Sequence, residues 1–153
     1  MAVPQAVVVA GLLHDVGKLV IAERAPEHLS RALEGARQDK RPLFAIEEEL
    51  IGVSHAEVGA YLLSLWGLPS PVVEAVAHHH HPERVPHAKL DLLSTVYLSN
   101  VLAHDPLGTN CGGEVEQEIH PVILAIPGVS ENLPKWRELA ETVSRESQGA
   151  SYV

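Results

Sequence analysis

Apolar positions recur at helical spacing along most of this chain. Val7, Val8, Val9, Leu12, Leu13, Val16, Leu19 and Val20 fill most sides of a segment from Pro4 to about Ala22, which predicts a helix central to the core. Pro4 suits a first helical turn, where a missing N–H costs nothing. Pro26 opens a second, amphipathic helix through Leu29 and Leu33, and a third starts near Pro42 with Phe44, Ile46, Leu50 and Ile51. Ser54-His55-Ala56-Glu57 has the form of a capping box; the helix behind it carries Val58, Tyr61, Leu62, Leu65 and Trp66 and stops at Gly67. Ser70 is placed as the cap of the next helix, with Pro71 at its first position. That helix runs into four consecutive histidines and ends before Pro82. Leu90 to Ala103 predicts another helix through Leu92, Leu93, Val96, Tyr97, Val101 and Leu102. Beyond Asp105 the pattern loosens. Pro106, Gly108, Gly112 and Gly113 mark a loop, Val122 to Ile126 is a short apolar segment between prolines, and a last amphipathic helix spans about Pro134 to Arg145 with Trp136, Leu139 and Val143. Gly149 to Val153 reads as a frayed end.

No Asn-Gly or Asp-Gly turn joins alternating apolar runs, so strand signals are weak. The sum is an all-α bundle of about six or seven helices with short connections. A chain of 153 residues, 46% of them hydrophobic, suits one domain over 1–153, with 106–153 as a less regular extension.

Charge narrows the partners. Twenty acidic residues against 11 basic ones give a formal charge of -9, which disfavours a nucleic-acid polymer as ligand. A small nucleotide remains compatible, because a metal and one lysine can offset its charge. The single cysteine, Cys111, has no internal partner, so a reducing cytoplasm is the expected compartment. The apolar N-terminal run lacks a basic leader and is broken by His14-Asp15, so it reads as a buried helix. No apolar run reaches the roughly 18–20 residues of a membrane span.

Histidine is the unusual component, with 10 in the chain. His14 and Asp15 lie side by side in an apolar run, with Lys18 one helical turn on. Imidazole and carboxylate together can hold a divalent ion, and a lysine on the same face can meet an anion held there. The plainer alternative has Asp15 paired with Lys18 and His14 as a satisfied core histidine. His55, at the first position of its helix, is either an exposed residue without a task or a neutral ligand. In the run His78-His79-His80-His81, a helical wheel set by Val73 and Val76 turns His80 and His79 inward and His78 and His81 outward. A histidine cluster at a helix C-terminus also simply suits the negative end of the dipole.

The order of these motifs adds a family resemblance. Gly11-Leu12-Leu13-His14-Asp15-Val16-Gly17-Lys18, then Ser54-His55-Ala56-Glu57-Val58-Gly59-Ala60-Tyr61-Leu62-Leu63, then Trp66-Gly67-Leu68-Pro69, then Glu74-Ala75-Val76-Ala77-His78-His79-His80-His81-Pro82 closely resemble the HDOD family. These are the HD-related output domains of bacterial signalling proteins, kin to the HD and HD-GYP phosphohydrolases. The resemblance spans roughly Ala10 to His104. It implies an HD-like helical bundle and a metal pocket of His14, Asp15, His55, His79 and His80, for Fe, Mn, Mg, Zn or Ni.

Three departures accompany it. Asn100 stands where catalytic relatives carry a closing aspartate, and Asp105 is five residues further on. Pro82-Glu83-Arg84-Val85-Pro86-His87 replaces the Gly-Tyr-Pro signature. No histidine precedes His14. The resemblance further implies that the chain matches the C-terminal part of a full HDOD domain, leaving apolar surface on the first helix that favours a homo-dimer. The functional expectation is a regulatory output module that contacts a signalling partner or receiver domain, without catalysis. Two alternatives stand beside it: a metal-dependent phosphohydrolase acting on a nucleotide or cyclic dinucleotide, with Lys18 steadying the phosphate, and a metal- or nucleotide-sensing domain without turnover.

Overall fold

The computed structural model describes residues 3–104 and 118–149. All regular structure among them is helical. The helices are α1 (Val3–Leu13), α2 (Val16–Arg24), α3 (Pro26–Asp39), α4 (Leu43–Ile51), α5 (His55–Leu65), α6 (Ser70–His78), α7 (Leu92–His104), α8 (Pro121–Leu124) and α9 (Val129–Gly149), with a 3₁₀ turn at Pro82–Arg84. The all-α expectation holds. The predicted loop from Asp105 through Gly113, with Cys111, and the chain end beyond Gly149 lie outside the described residues.

The first predicted helix is two helices. The chain breaks at His14-Asp15, where the His14 ring turns back to donate from Nδ1 to the Gly11 carbonyl at 2.7 Å. A side chain that satisfies the last carbonyls of a helix ends it there. Asp15 sits at φ -99°, ψ 6°, outside both helices, and α2 begins behind it.

Helix α5 is the centre of the bundle, packed against α2, α4 and α6. Its crossing with α2 is unusually close because both helices present glycine. A methyl group added at Gly17 would collide with the His55 carbonyl oxygen and lie 2.7 Å from the Gly59 nitrogen. Next to this crossing, Ala60 and Leu63 of α5 pack on Val76 of α6, with Leu13 and Val16 closing the cluster. Helix α6 continues inward to α1 and α7 through Val72, Ala75, Ala10, Leu93 and Val96. Ala32 and Ala36 of α3 pack on Leu43 and Ile46 of α4, bringing α4 to the start of α5.

Helix ends follow local chemistry. The capping box at α5 is complete: the Ser54 N–H donates to Glu57 Oε2 at 3.0 Å, and the Glu57 N–H donates to Ser54 Oγ. Asp91 does the same for α7, accepting from the Ser94 N–H at 2.8 Å while its own N–H donates to Ser94 Oγ at 2.8 Å. Ser70 is not a cap but the first residue of α6, with Pro69 before it and no side-chain cap bond. Proline at 69 and 71 already fixes the chain direction at that turn. The last helix starts at Val129, ahead of the predicted Pro134, so Pro134 lies inside it and removes one i→i−4 hydrogen bond there. Tyr97, buried on α7, accepts the His120 N–H at 2.8 Å and pins the start of α8.

The expectation that the first apolar segment lies wholly in the core is corrected. Ala10 and Ile21 are buried, but Val8, Leu12 and Leu19 are 65%, 80% and 71% exposed. A helix apolar on every side cannot bury every side against neighbours on one flank. The expectation that no apolar run reaches membrane-spanning length is corrected as well: Gln5–Arg24 is long and apolar enough by length and composition, with a mean hydropathy of 1.5. That stretch is divided at His14-Asp15 into helices of 11 and 9 residues, each short of the roughly 20 a span requires.

The glycine crossing generates the first prediction. Gly17→Ala forces backbone apart from backbone, so it is expected to cost about 3 kcal/mol or more, at or beyond the top of the usual overpacking range. Urea unfolding of wild type and variant checks it; a loss under about 1 kcal/mol would contradict the close crossing.

Candidate metal centre

Three helix ends meet at one point and supply four donor residues. Asp15 leads into α2, His55 is the first residue of α5, and His79 and His80 follow the last residue of α6. One donor atom from each of Asp15, His55, His79 and His80 lies within 4.8 Å of all the others. Asp15 Oδ1 is 3.2 Å from His55 Nε2 and 3.8 Å from His79 Nε2. His80 Nε2 is 3.0 Å from His55 Nε2.

The histidine run delivers these donors by ending, not by continuing. Helix α6 stops at His78, and the chain tightens so that the His81 N–H reaches the His78 carbonyl at 2.9 Å. His79 is fully buried and its ring packs edge-on against His14, with centroids 5.0 Å apart. His80 stacks on Phe44 of α4 at 4.4 Å. His81 turns away to Glu83 and Glu48, at 3.0 Å and 3.5 Å.

Hydrogen bonds fix which nitrogen each ring offers. The carbonyls of Gly11 and Val76 can only accept, so His14 and His79 are protonated at Nδ1. His55 Nδ1 faces Glu47 Oε2 at 2.5 Å, a third acceptor. In the neutral rings Nε2 is therefore a bare lone pair in all three. His14 Nε2 and His79 Nε2 are buried without a hydrogen-bond partner, and so is His80 Nδ1. Acceptors that converge out of water without donors are costly. A cation, or protons, must stand in for the missing donors.

The titration behaviour follows. Burial works against the Asp15 charge, but His55, whose protonated ring would donate from Nε2, and the charges of Lys18 and His14 hold its pKa far below the usual carboxylate range. Burial lowers His55, and its bonds to Asp15 and Glu47 outweigh that and raise it. Burial, with the neighbouring His55, pushes His79 down to about 3, and burial with His79 and His55 beside it pushes His80 well below its ordinary value.

The remaining predicted residues stand around this core. His14 lies beside it, its Nε2 3.5 Å from Asp15 Oδ2. Lys18 Nζ donates to Asp15 Oδ2 at 2.7 Å, the plainer of the two arrangements open to it. His55 is 1% exposed, so the reading of an idle surface histidine is excluded. Asn100 is half-buried on α7 and offers an amide, not a carboxylate.

Glu47 is the residue that sequence reasoning passed over. It is 0% exposed and accepts both the ring and the backbone N–H of His55. The spacing Leu43, Ile46, Glu47, Leu50 placed it on an apolar stripe, but its position in the run Glu47-Glu48-Glu49 resembles a solvated acidic face.

Comparison with known proteins agrees with this architecture. The family model of the HDOD domain matches residues 1–82. An uncharacterised protein of Treponema pallidum is 33% identical over 93 residues, covering 61% of this chain and 18% of that protein. Ribonuclease Y of Thermus thermophilus is 29% identical over 130 residues, 78% of this chain and 17% of the enzyme. The chain thus spans under a fifth of the length of these curated relatives. The crystal structure of an HDOD domain protein of unknown function from Geobacter sulfurreducens superposes with a TM-score of 0.62 and 28% identity, covering 95% of this chain and 45% of that one.

Ser54 holds the start of α5 and hence His55. Ser54→Ala is expected to destabilise the fold by about 1 kcal/mol, the usual cost of losing such a cap. Denaturant unfolding reads this directly, and an unchanged midpoint would show that the cap does not contribute.

Proposed function

The chain belongs to the HDOD domain family, and from that membership and the geometry of its pocket we propose that it is a regulatory output module holding one divalent metal ion. The observation that carries this reading is the convergence of the Asp15 carboxylate with the imidazoles of His55, His79 and His80, where hydrogen bonding to Nδ1 directs the Nε2 lone pairs of His55 and His79 inward. Three nitrogens and one carboxylate oxygen suit a first-row transition ion such as Fe²⁺, Mn²⁺, Zn²⁺ or Ni²⁺ better than Mg²⁺, which prefers oxygen donors and retained water. Such an ion would supply Lewis-acid charge at the junction of α2, α5 and α6 and so tie three helices together. The module would work in the cytoplasm by contact with a signalling protein or receiver domain, on its own or as a homo-dimer.

A second reading is a metal-dependent phosphohydrolase, and the similarity to ribonuclease Y over 130 residues favours it. The formal charge of -9 weighs against an RNA polymer as substrate, and Asn100 brings no further anionic donor. A domain that senses a metal or nucleotide without turnover stands between the two.

Metal addition separates these readings. Wild-type protein with Mn²⁺ or Zn²⁺ at about 100 times its Kd is expected to gain about 2.7 kcal/mol of stability, with no gain in Asp15→Ala or His79→Ala. Thermal melting and elemental analysis read it out. A wild type indifferent to every divalent ion ends the metal reading. Hydrolysis of RNA or a cyclic dinucleotide by the loaded protein, absent in Asp15→Ala, replaces the regulatory reading with the hydrolase one.

A further inference from the structure

We infer that Glu47 is the positioning residue of this centre: its carboxylate fixes the His55 ring with Nδ1 protonated and Nε2 turned to the pocket, and makes His55 the strongest nitrogen donor there. The part concerning the metal rests on the metal-binding reading above; the part concerning the ring does not.

Glu47 is fully buried on α4, at 0% exposure. Among the described residues its hydrogen bonds all go to His55. Oε2 accepts the His55 backbone N–H at 2.8 Å and ring Nδ1–H at 2.5 Å, while Oε1 is buried without a partner. A carboxylate taken out of water for so few donors is an expensive way to fill space. Leucine or methionine would pack beside the buried Leu43 and Ile46 at no such cost, so packing does not explain the residue type.

Orientation of His55 does explain it. His14 and His79 are oriented by neutral backbone carbonyls, those of Gly11 and Val76. Of these three rings, His55 alone has its Nδ1 on a carboxylate. An anionic acceptor on Nδ1 raises the electron density at Nε2, and partners of this kind tune metal affinity by about 10- to 100-fold. The Nε2 of His55 also lies 3.0 Å from His80 Nε2 and 3.2 Å from Asp15 Oδ1. Its backbone N–H is held by the same carboxylate, so ring and helix start are fixed together. The adjacent acids do other work: Glu48 meets His81, and Glu49 forms a two-pronged pair with Arg41.

Two measurements on the full chain test this. Nitrogen-15 NMR of metal-free wild type, at alkaline pH where the ring is neutral, is expected to show His55 with its proton on Nδ1. A proton on Nε2 overturns the proposal, and no variant has to fold for that result. Calorimetric titration with Zn²⁺ is expected to give Glu47→Gln an affinity about 10- to 100-fold weaker than wild type, with Glu49→Gln unchanged as the exposed control. A folded Glu47→Gln with wild-type affinity overturns the claim that the charge strengthens His55. If wild type binds no ion at all, the metal reading fails and, with it, the donor-strength half of this inference, while the NMR result alone decides the positioning half.

Discussion

The contact on which the rest of the site depends is the crossing of α2 over α5 at Gly17 and Gly59. Backbone meets backbone there, with no room for a β-carbon at Gly17. That approach lets Asp15, two residues before Gly17, reach His55, four residues before Gly59. Val76 touches the same crossing from α6: a β-carbon at Gly59 would lie 3.5 Å from its side chain. Since Val76 is three residues before His79, the α6 contact also sets where the histidine run turns. Spreading α2 and α5 by the width of one methyl group would separate Asp15 Oδ1 from the imidazoles, whatever their own rotamers.

A site assembled from helix ends carries an intrinsic cost. The donors at Asp15, His55, His79 and His80 are drawn from the places where helical hydrogen bonding stops, so each segment must be tied down by other means. The chain does this with the His14 ring on the Gly11 carbonyl, the Ser54–Glu57 box, and the His79 ring on the Val76 carbonyl. Each of the two ring ties consumes a proton that would otherwise satisfy a buried acceptor and leaves a bare nitrogen facing inward. The arrangement gives up local stability to preserve a shape, and networks left partly satisfied in this way are characteristic of functional sites.

The same physics explains what was legible in the sequence. The Ser54–Glu57 box could be read because its partners are three residues apart and need no tertiary context. Inward placement of His79 and His80 was legible from Val73 and Val76, although the helix ends at His78 and a tight turn completes the placement. The break at His14-Asp15 was hidden because apolar residues on every side of the segment carry no phase that a change of helix could interrupt. Burial of His55 was hidden because a helix-start histidine looks exposed until α2 is laid across it. Glu47 was obscured by its acidic neighbours, since charge runs most often face water and only the stripe through Leu43 and Leu50 argued otherwise.

Charge supports one ion over two. Asp15 is the only carboxylate whose oxygen enters the four-donor group. Its other oxygen is 2.7 Å from Lys18 Nζ, so the pocket receives less than a full negative charge from it. Three neutral imidazoles can share one divalent ion with such a partner. A second ion would add two positive charges beside a lysine, with no further carboxylate in the donor group to offset them. Glu47 does not remedy this directly, because its hydrogen bonds go to His55 on the side away from the pocket. Its charge reaches the centre only through that imidazole, which strengthens one donor without adding another. A single ion whose ligands join three helices would act as a structural clamp on them.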